Sequence, residues 1–161
     1  MANMYLVCGM SGSGKTTFAK QYAADLNYTY VCPDDYYARI NGDECKHTGF
    51  FEIWMSMWRD LHNYEVNNID VVVDTNALTR GQREQFLEWF PTFTHHIVWC
   101  EASFGVCLAN NNSRRRVIPK EIMEQMWQNI EEPTVEEYSK YKTAVIRTNV
   151  ANVVTEFRVK E

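Results

Sequence analysis

Long apolar runs, paired cysteines and an excess of positive charge are all missing from this chain. The first apolar stretch, residues 4–8, is only a few residues long and ends at a glycine. A membrane-spanning helix needs ~20 apolar residues and a signal peptide has its own charged and apolar regions, so a soluble, cytoplasmic protein is expected. The five cysteines, at positions 8, 32, 45, 100 and 107, are odd in number and show no CxxC spacing. That excludes a disulfide framework or a structural zinc site and leaves reduced thiols. Asp and Glu (21) outnumber Lys and Arg (16), for a net charge of -5 and a pI near 5.4. Nothing global therefore attracts nucleic acid, and such binding would need a local basic patch. No Pro/Gly/Ser-rich linker, repeat or low-complexity tract divides the 161 residues, which are 45% hydrophobic and read as a single domain, 1–161.

What the chain does contain is alternation. Short runs rich in β-branched or aromatic residues, read as strands, recur at 4–8, 28–32, 69–73, 95–100 and 143–148. Between them, helical spacing covers 15–26, 50–66, 79–90, 103–111 and 120–132, and the closing "ANVVTEFRVKE" reads as an added edge strand. Strands alternating with helices predict an α/β fold with a five-stranded, mostly parallel sheet covered by helices on both faces. Phe50, Trp54, Trp58, Leu61 and Tyr64 fall at steps of three or four and read as one buried helix face, with an acceptor groove as the alternative. Ile122, Met123, Met126, Trp127 and Ile130 repeat that pattern. His95 and His96 read as packed or exposed strand residues. Cys45 and His47, two candidate ligands in a polar loop, do not make a metal site.

Gly9-Met10-Ser11-Gly12-Ser13-Gly14-Lys15-Thr16 satisfies GxxxxGK[ST] with an expected strand before it and a helix after it. Glycines let the backbone curl so that successive N–H groups face a phosphate, and the helix sets its positive dipole end beneath the anion. Gly9, Ser11, Gly12, Ser13, Gly14, Lys15, Thr16 and Thr17 are thus expected to bind the phosphates of ATP, or GTP. Lys15 reaches the β- and γ-phosphates and the Thr16 hydroxyl takes Mg²⁺.

In open parallel sheets, ligands bind at the carboxyl ends of strands. Asp34 and Asp35 follow the second expected strand; Asp74, Thr75 and Asn76 follow the third. A carboxylate there can orient an acceptor hydroxyl and take its proton, and another can hold Mg²⁺ as Thr16 does. Helix capping is the structural alternative for each. Arg114, Arg115 and Arg116 concentrate positive charge in an otherwise acidic chain, in a segment, 111–120, that reads as a lid able to bring a guanidinium to the transferring phosphoryl group.

"GMSGSGKTT", "PDDYY", "VVVDTNALTRGQR" and "NNNSRRRVIPKEIMEQMW" come in the order and at about the spacing of the P-loop 5′-hydroxyl kinase family. The chain resembles in particular the kinase domain of phage-type polynucleotide kinase and related AAA-type kinases, through nearly its whole length. That resemblance implies a P-loop NTPase fold with strand order 2-3-1-4-5 and an Arg-rich lid. It implies Asp34 as the general base, Asp74 and Thr75 at the acceptor end, Asp74 also near Mg²⁺, and Arg115 on the donor phosphates. Two positions depart from the family. Tyr37 stands where polynucleotide members carry an acceptor-clamping Arg, for which Arg39 is the nearest substitute, and Asn111 stands at the first lid arginine. The expected function is ATP- and Mg²⁺-dependent transfer to a hydroxyl. The acceptor expected first is the 5′-OH end of DNA or RNA. Alternatives are a small acceptor such as a nucleoside, sugar, antibiotic or nucleotide-sugar, as in zeta-toxin-like kinases, or a noncatalytic nucleotide-binding module.

Overall fold

The opening apolar run becomes the middle of a sheet. In the computed structural model, which describes residues 1–148 and 154–160, β1 (Asn3–Gly9) lies between β3 (Val71–Asp74) and β4 (Thr94–Glu101). The sheet continues to β2 (Thr29–Val31) on one side and to β5 (Lys142–Thr148) and β6 (Val154–Lys160) on the other, giving the order β2-β3-β1-β4-β5-β6. The first five strands are parallel, in the expected order 2-3-1-4-5; β6 is the edge strand read from the tail and runs antiparallel to β5.

Alternation along the strands sorts the core into two faces. Val7, Val72, Val98, Cys100 and Ile146 meet Ala19 and Ala23 of α1 (Lys15–Leu26), whose small residues let the helix lie close to the sheet. Met4, Leu6, Val71, Val73 and Ile97 face the other way, against Ile53, Met57 and Leu61 of α3 (Phe50–Val66) and Phe86 and Leu87 of α4 (Arg80–Glu88). Complete burial of each large side chain here contributes about 1.5–3 kcal/mol. Helices therefore cover both faces. α5 (Phe104–Asn112) and α6 (Lys120–Gln128) follow β4, and the expected helix over 120–132 stops at Gln128.

Two short helices lie outside the expected set. α2 (Pro33–Asn41) begins with proline at its first position and carries Asp34 and Asp35 in its first turn, both favourable at the positive end of a helix. α7 (Val135–Lys140) starts at a capping box in which Thr134 and Glu137 satisfy each other's backbone N–H groups. All five cysteines are free thiols. Burial pushes those of Cys8 and Cys32 up to about 12 and that of Cys107 up to about 11, which keeps them protonated and unreactive. Among the described residues, no helix is long and apolar enough to cross a membrane.

Candidate active site

The phosphate cradle is built on three positive-φ glycines. Gly9, at φ 149°, passes so close to β4 that a Cβ would lie 2.7 Å from the Cys100 carbonyl oxygen. Gly12, at φ 83°, lies against the backbone of Cys107 in α5, where a side chain would overlap the Cys107 carbonyl. Gly14, at φ 85°, is the N-cap of α1. The Asn110 amide donates to the Gly12 carbonyl at 2.9 Å, and Ser13 N–H donates to Met10 O at 3.0 Å. This loop is shaped before any anion arrives. Lys15 is buried, Thr16 and Thr17 are exposed, and no acidic side chain occupies the first turn of α1, so its dipole end is open to a phosphate.

Asp74 reaches the cradle through sheet register. It ends β3 opposite Val7 of β1, and the following loop is pinned to the same strand by Thr75 N–H to Val7 O and Gly9 N–H to Asn76 O, both 3.0 Å. The Asp74 carboxylate is buried. Its Oδ2 accepts from the Tyr30 hydroxyl at 2.9 Å, while Oδ1 has no hydrogen-bond partner among the described residues. A buried carboxylate oxygen left so costs on the order of 1–3 kcal/mol or more. A magnesium ion fits it. Among the described residues no cluster of three or more His, Cys, Asp or Glu converges, and magnesium asks for few protein ligands because it keeps waters and phosphate oxygens. Burial, with Asp74 beside it, raises the Tyr30 hydroxyl far above its ordinary range, so it stays a donor.

Asp34 lies across the cleft in the first turn of α2, about half exposed. Its Oδ1 is 3.9 Å from His47 Nε2. The His47 ring stacks on Tyr37 at 4.1 Å, and Arg116 Nη1 donates to His47 Nε2 at 2.6 Å. A guanidinium only donates, so in this contact Nε2 is the acceptor. Burial raises the Tyr37 hydroxyl, with Asp34 adding to the effect.

One cleft of about 750 Å³ joins these parts. Of the residues expected from sequence, Ser11, Lys15, Thr16 and Asp34 line it, as do Tyr37, Asp74, Thr75 and Asn76. Gly9, Gly12, Ser13, Gly14 and Thr17 of the cradle are not on its wall, and Asp35, Arg39 and Arg115 stand off it. Asp35 is exposed on the outer side of α2, its carboxyl raised by burial and by Asp34, Asp74 and Glu44 against the pull of Lys20. Arg39 ties α2 to α3 through Ser56 Oγ (3.2 Å) and Asp60 (3.5 Å) and lies over the Tyr36 ring. Arg115 is 75% exposed and faces Asp43 (3.7 Å) and Glu44 (3.9 Å), whereas its neighbours Arg114 and Arg116 line the cleft. Adjacent residues in a non-helical stretch project to different sides, so three consecutive arginines cannot all face one cavity. Asn111, at the place of a lid arginine, is buried and bridges the loop to itself: its Nδ2 donates to Ile118 O (2.8 Å) and its Oδ1 accepts from Ile118 N–H (3.0 Å). Arg114→Ala is expected to lower kcat at least roughly tenfold, and Arg115→Ala less than about twofold, in steady-state assays. The reverse order would return the donor contact to Arg115.

Sequence reasoning held part of the wall only as its alternative. The core row of α3 is Ile53, Met57 and Leu61; the adjacent row, Phe50, Trp54 and Trp58, lines the cleft with Phe51 and Met55. The two rows lie side by side on one helix, and periodicity alone cannot say which meets the sheet. The signal was excess: the helix carries more apolar surface than one buried stripe needs. His47, set aside as a metal ligand, is on the wall in a different role. On the second stripe, only Met123 is buried, while Ile122 and Trp127 are exposed. His95 and His96 are half-buried strand residues bonded to Phe90 O and Asn3 Oδ1.

Fold and site together define an α/β domain of the P-loop nucleotide-binding type. More particularly, the chain belongs to the AAA domain family, whose model matches residues 4–133. It is 28% identical over 152 residues to a shikimate kinase of Corynebacterium efficiens, covering 89% of this chain and 86% of that one. Among solved structures it is similar in fold to a gluconokinase from Sinorhizobium meliloti (20% identity, TM-score 0.62, 94% of this chain and 86% of the other). It is also similar to a chain of the Pnkp1/Rnl/Hen1 RNA repair complex (16% identity, TM-score 0.72), where 87% of this chain spans 46% of the other.

Proposed function

We propose that this protein transfers the γ-phosphate of ATP to a hydroxyl of a small acceptor molecule. The observation that carries the reading is the cleft itself. It gathers Lys15, Thr16, Asp34 and Asp74 on the wall of one cavity of about 750 Å³, within the ~300–1,000 Å³ range of small-molecule sites. Kinase relatives named for small acceptors, shikimate and gluconate, support it. The 5′-OH end of a nucleic acid, the acceptor expected first, is the second reading, favoured by the likeness to the RNA repair chain. Against it, Arg39 is engaged with Asp60 and the net charge is -5, so the strand's phosphates find little to hold them.

In the proposed reaction the cradle N–H groups and Lys15 hold the donor phosphates. Asp34 accepts the proton of the acceptor hydroxyl as its oxygen bonds to the γ-phosphorus and the bond to the β-phosphate oxygen breaks, leaving ADP. Arg114 and Arg116 offset the charge spread over the phosphoryl oxygens. Thr16 and Asp74 would hold a magnesium ion, which supplies further neutralisation of phosphate charge. Transfer of labelled γ-phosphate to small alcohols and to 5′-hydroxyl oligonucleotides tests this directly. Label on a small alcohol, at a rate little changed between 50 and 200 mM salt, is the expected result; label confined to the oligonucleotide, with a steep salt dependence, would overturn it.

A further inference from the structure

The far end of the cleft differs in chemistry from the end that holds phosphate. Every charged residue on the wall is Lys15, Asp34, Asp74, Arg114 or Arg116: three at the cradle and strand ends, two on the loop after α5. The wall made by α3 and α4 carries Phe51, Trp54, Met55, Trp58, Phe86 and Trp89. Its polar groups are uncharged: the amides of Gln82 and Gln85 and the indole N–H groups, of which Trp58 Nε1 is buried without a hydrogen-bond partner among the described residues, while Gln82 Oε1 already accepts from Thr79 N–H. Two of these aromatics are bare, Phe51 at 70% exposure and Trp89 at 40%, and the Trp58 and Trp89 ring centroids lie 3.8 Å apart at the cleft wall.

We infer that the acceptor is an uncharged alcohol bearing an aromatic ring, its hydroxyl at Asp34 and its ring against the Trp54, Trp58 and Trp89 wall. This rests on the kinase reading and narrows it. A carboxylate acceptor needs a cation or several donors at its carboxylate, because a charge moved from water to an apolar wall without a partner is strongly disfavoured. The α3 and α4 wall holds no charged residue, and of the two cleft arginines Arg116 is already engaged with His47. A flat ring, in contrast, gains stacking on the wall's indole and phenyl surface, which at Phe51 and Trp89 already stands exposed to water. The patch is continuous with the cavity holding Lys15 and Asp34, so a ring on the wall and a hydroxyl at Asp34 can belong to one molecule.

The test uses matched pairs that differ only in the ring: 3-phenyl-1-propanol with 1-propanol, and phenyl β-D-glucoside with methyl β-D-glucoside. D-gluconate and shikimate serve as the charged class. Binding to the full chain is read by calorimetry and by quenching of tryptophan fluorescence with a nonhydrolysable ATP analogue present, and transfer by labelled γ-phosphate. The ring-bearing member of each pair is expected to bind about tenfold or more tightly than its partner. Trp54→Ala and Phe51→Ser should each erase most of that preference without changing ATP affinity; Phe51, being exposed, can be replaced without disturbing the core. Equal affinity within the pairs, or tighter binding of gluconate or shikimate, would overturn the inference, and label on gluconate or shikimate would leave the kinase reading standing. Ring-selective binding with no alcohol labelled would uphold the ligand class and sink the kinase reading instead.

Discussion

Asp34→Asn is expected to lower kcat by about two to four orders of magnitude while the Kd for ATP changes less than about twofold. The amide keeps the size and most of the hydrogen-bonding shape of the carboxylate but cannot take a proton at neutral pH. Since Asp34 is half exposed on the cleft wall, across from Asp74, the loss falls on the transfer step and leaves the cradle that binds the donor untouched. A purely structural Asp34 behaves differently. As a first-turn acid of α2 it contributes only about 0.3–1 kcal/mol through the helix dipole, so replacement would cost a little stability and almost no turnover. Single-turnover rates with an accepted alcohol, beside a direct ATP titration, separate the two. An unchanged rate would remove Asp34 from the chemistry.

Glu137→Ala should destabilise the fold by about 3–5 kcal/mol, a drop in Tm of roughly 6–20 °C. Glu137 of α7 and Arg83 of α4 form a buried bidentate pair, Nε to Oε1 at 2.7 Å and Nη2 to Oε2 at 2.9 Å, with both side chains inaccessible to water. Removing the carboxylate strands a guanidinium in the core. Arg83 also donates through Nη1 to the carbonyls of Ala77, Leu78 and Glu131 and lies 5.4 Å from the Trp99 ring centre, so the loop carrying Thr75 and Asn76 loosens with it. Burial by itself raises the Glu137 carboxyl, but the hydrogen bonds from Arg83 and Thr134 N–H outweigh it and hold the group below its usual value. A depressed carboxyl adds stability that is complete above its unfolded value, about 4.3, and is lost as pH falls through the folded one. Wild type should therefore lose stability more steeply below about pH 4 than Glu137→Ala, as thermal melts across that range would show. Parallel pH profiles would mean the pair is not a titrating contributor. Replacing both members with apolar residues is expected to recover most of the loss, since the penalty belongs to the unpaired charge.

How legible each element was follows from where its signal lies. The helix over 15–26 begins at the lysine after a GxxxxG loop and ends at Leu26, before Asn27 at φ 56°; both boundaries are local chemistry, and the element is Lys15–Leu26. The same holds for Phe50–Val66, whose apolar spacing needs no partner to be seen. α2 and α7 carried local signals as well, Pro33 with two acids and the Thr134–Glu137 box, but each is too short for periodicity to register. At the site, the cradle and the strand-end aspartates were readable because strand order places them. Which arginine of three faces inward, and which apolar row of α3 faces the cleft, depend on tertiary packing between segments distant in sequence. Arg83 illustrates the same limit: it sits in a polar stretch, "TRGQR", and only Glu137, 54 residues on, makes it a core residue.

Gly12 touches Cys107 without clearance, Asn110 grips the Gly12 carbonyl, and the next residue, Asn111, clasps Ile118 at the far end of the arginine loop. In mechanical terms α5 is a lever with no play at either end. Close-packed contacts transmit displacement and do not absorb it. A displacement imposed at Gly12 would be passed along α5 toward the segment bearing Arg114 and Arg116.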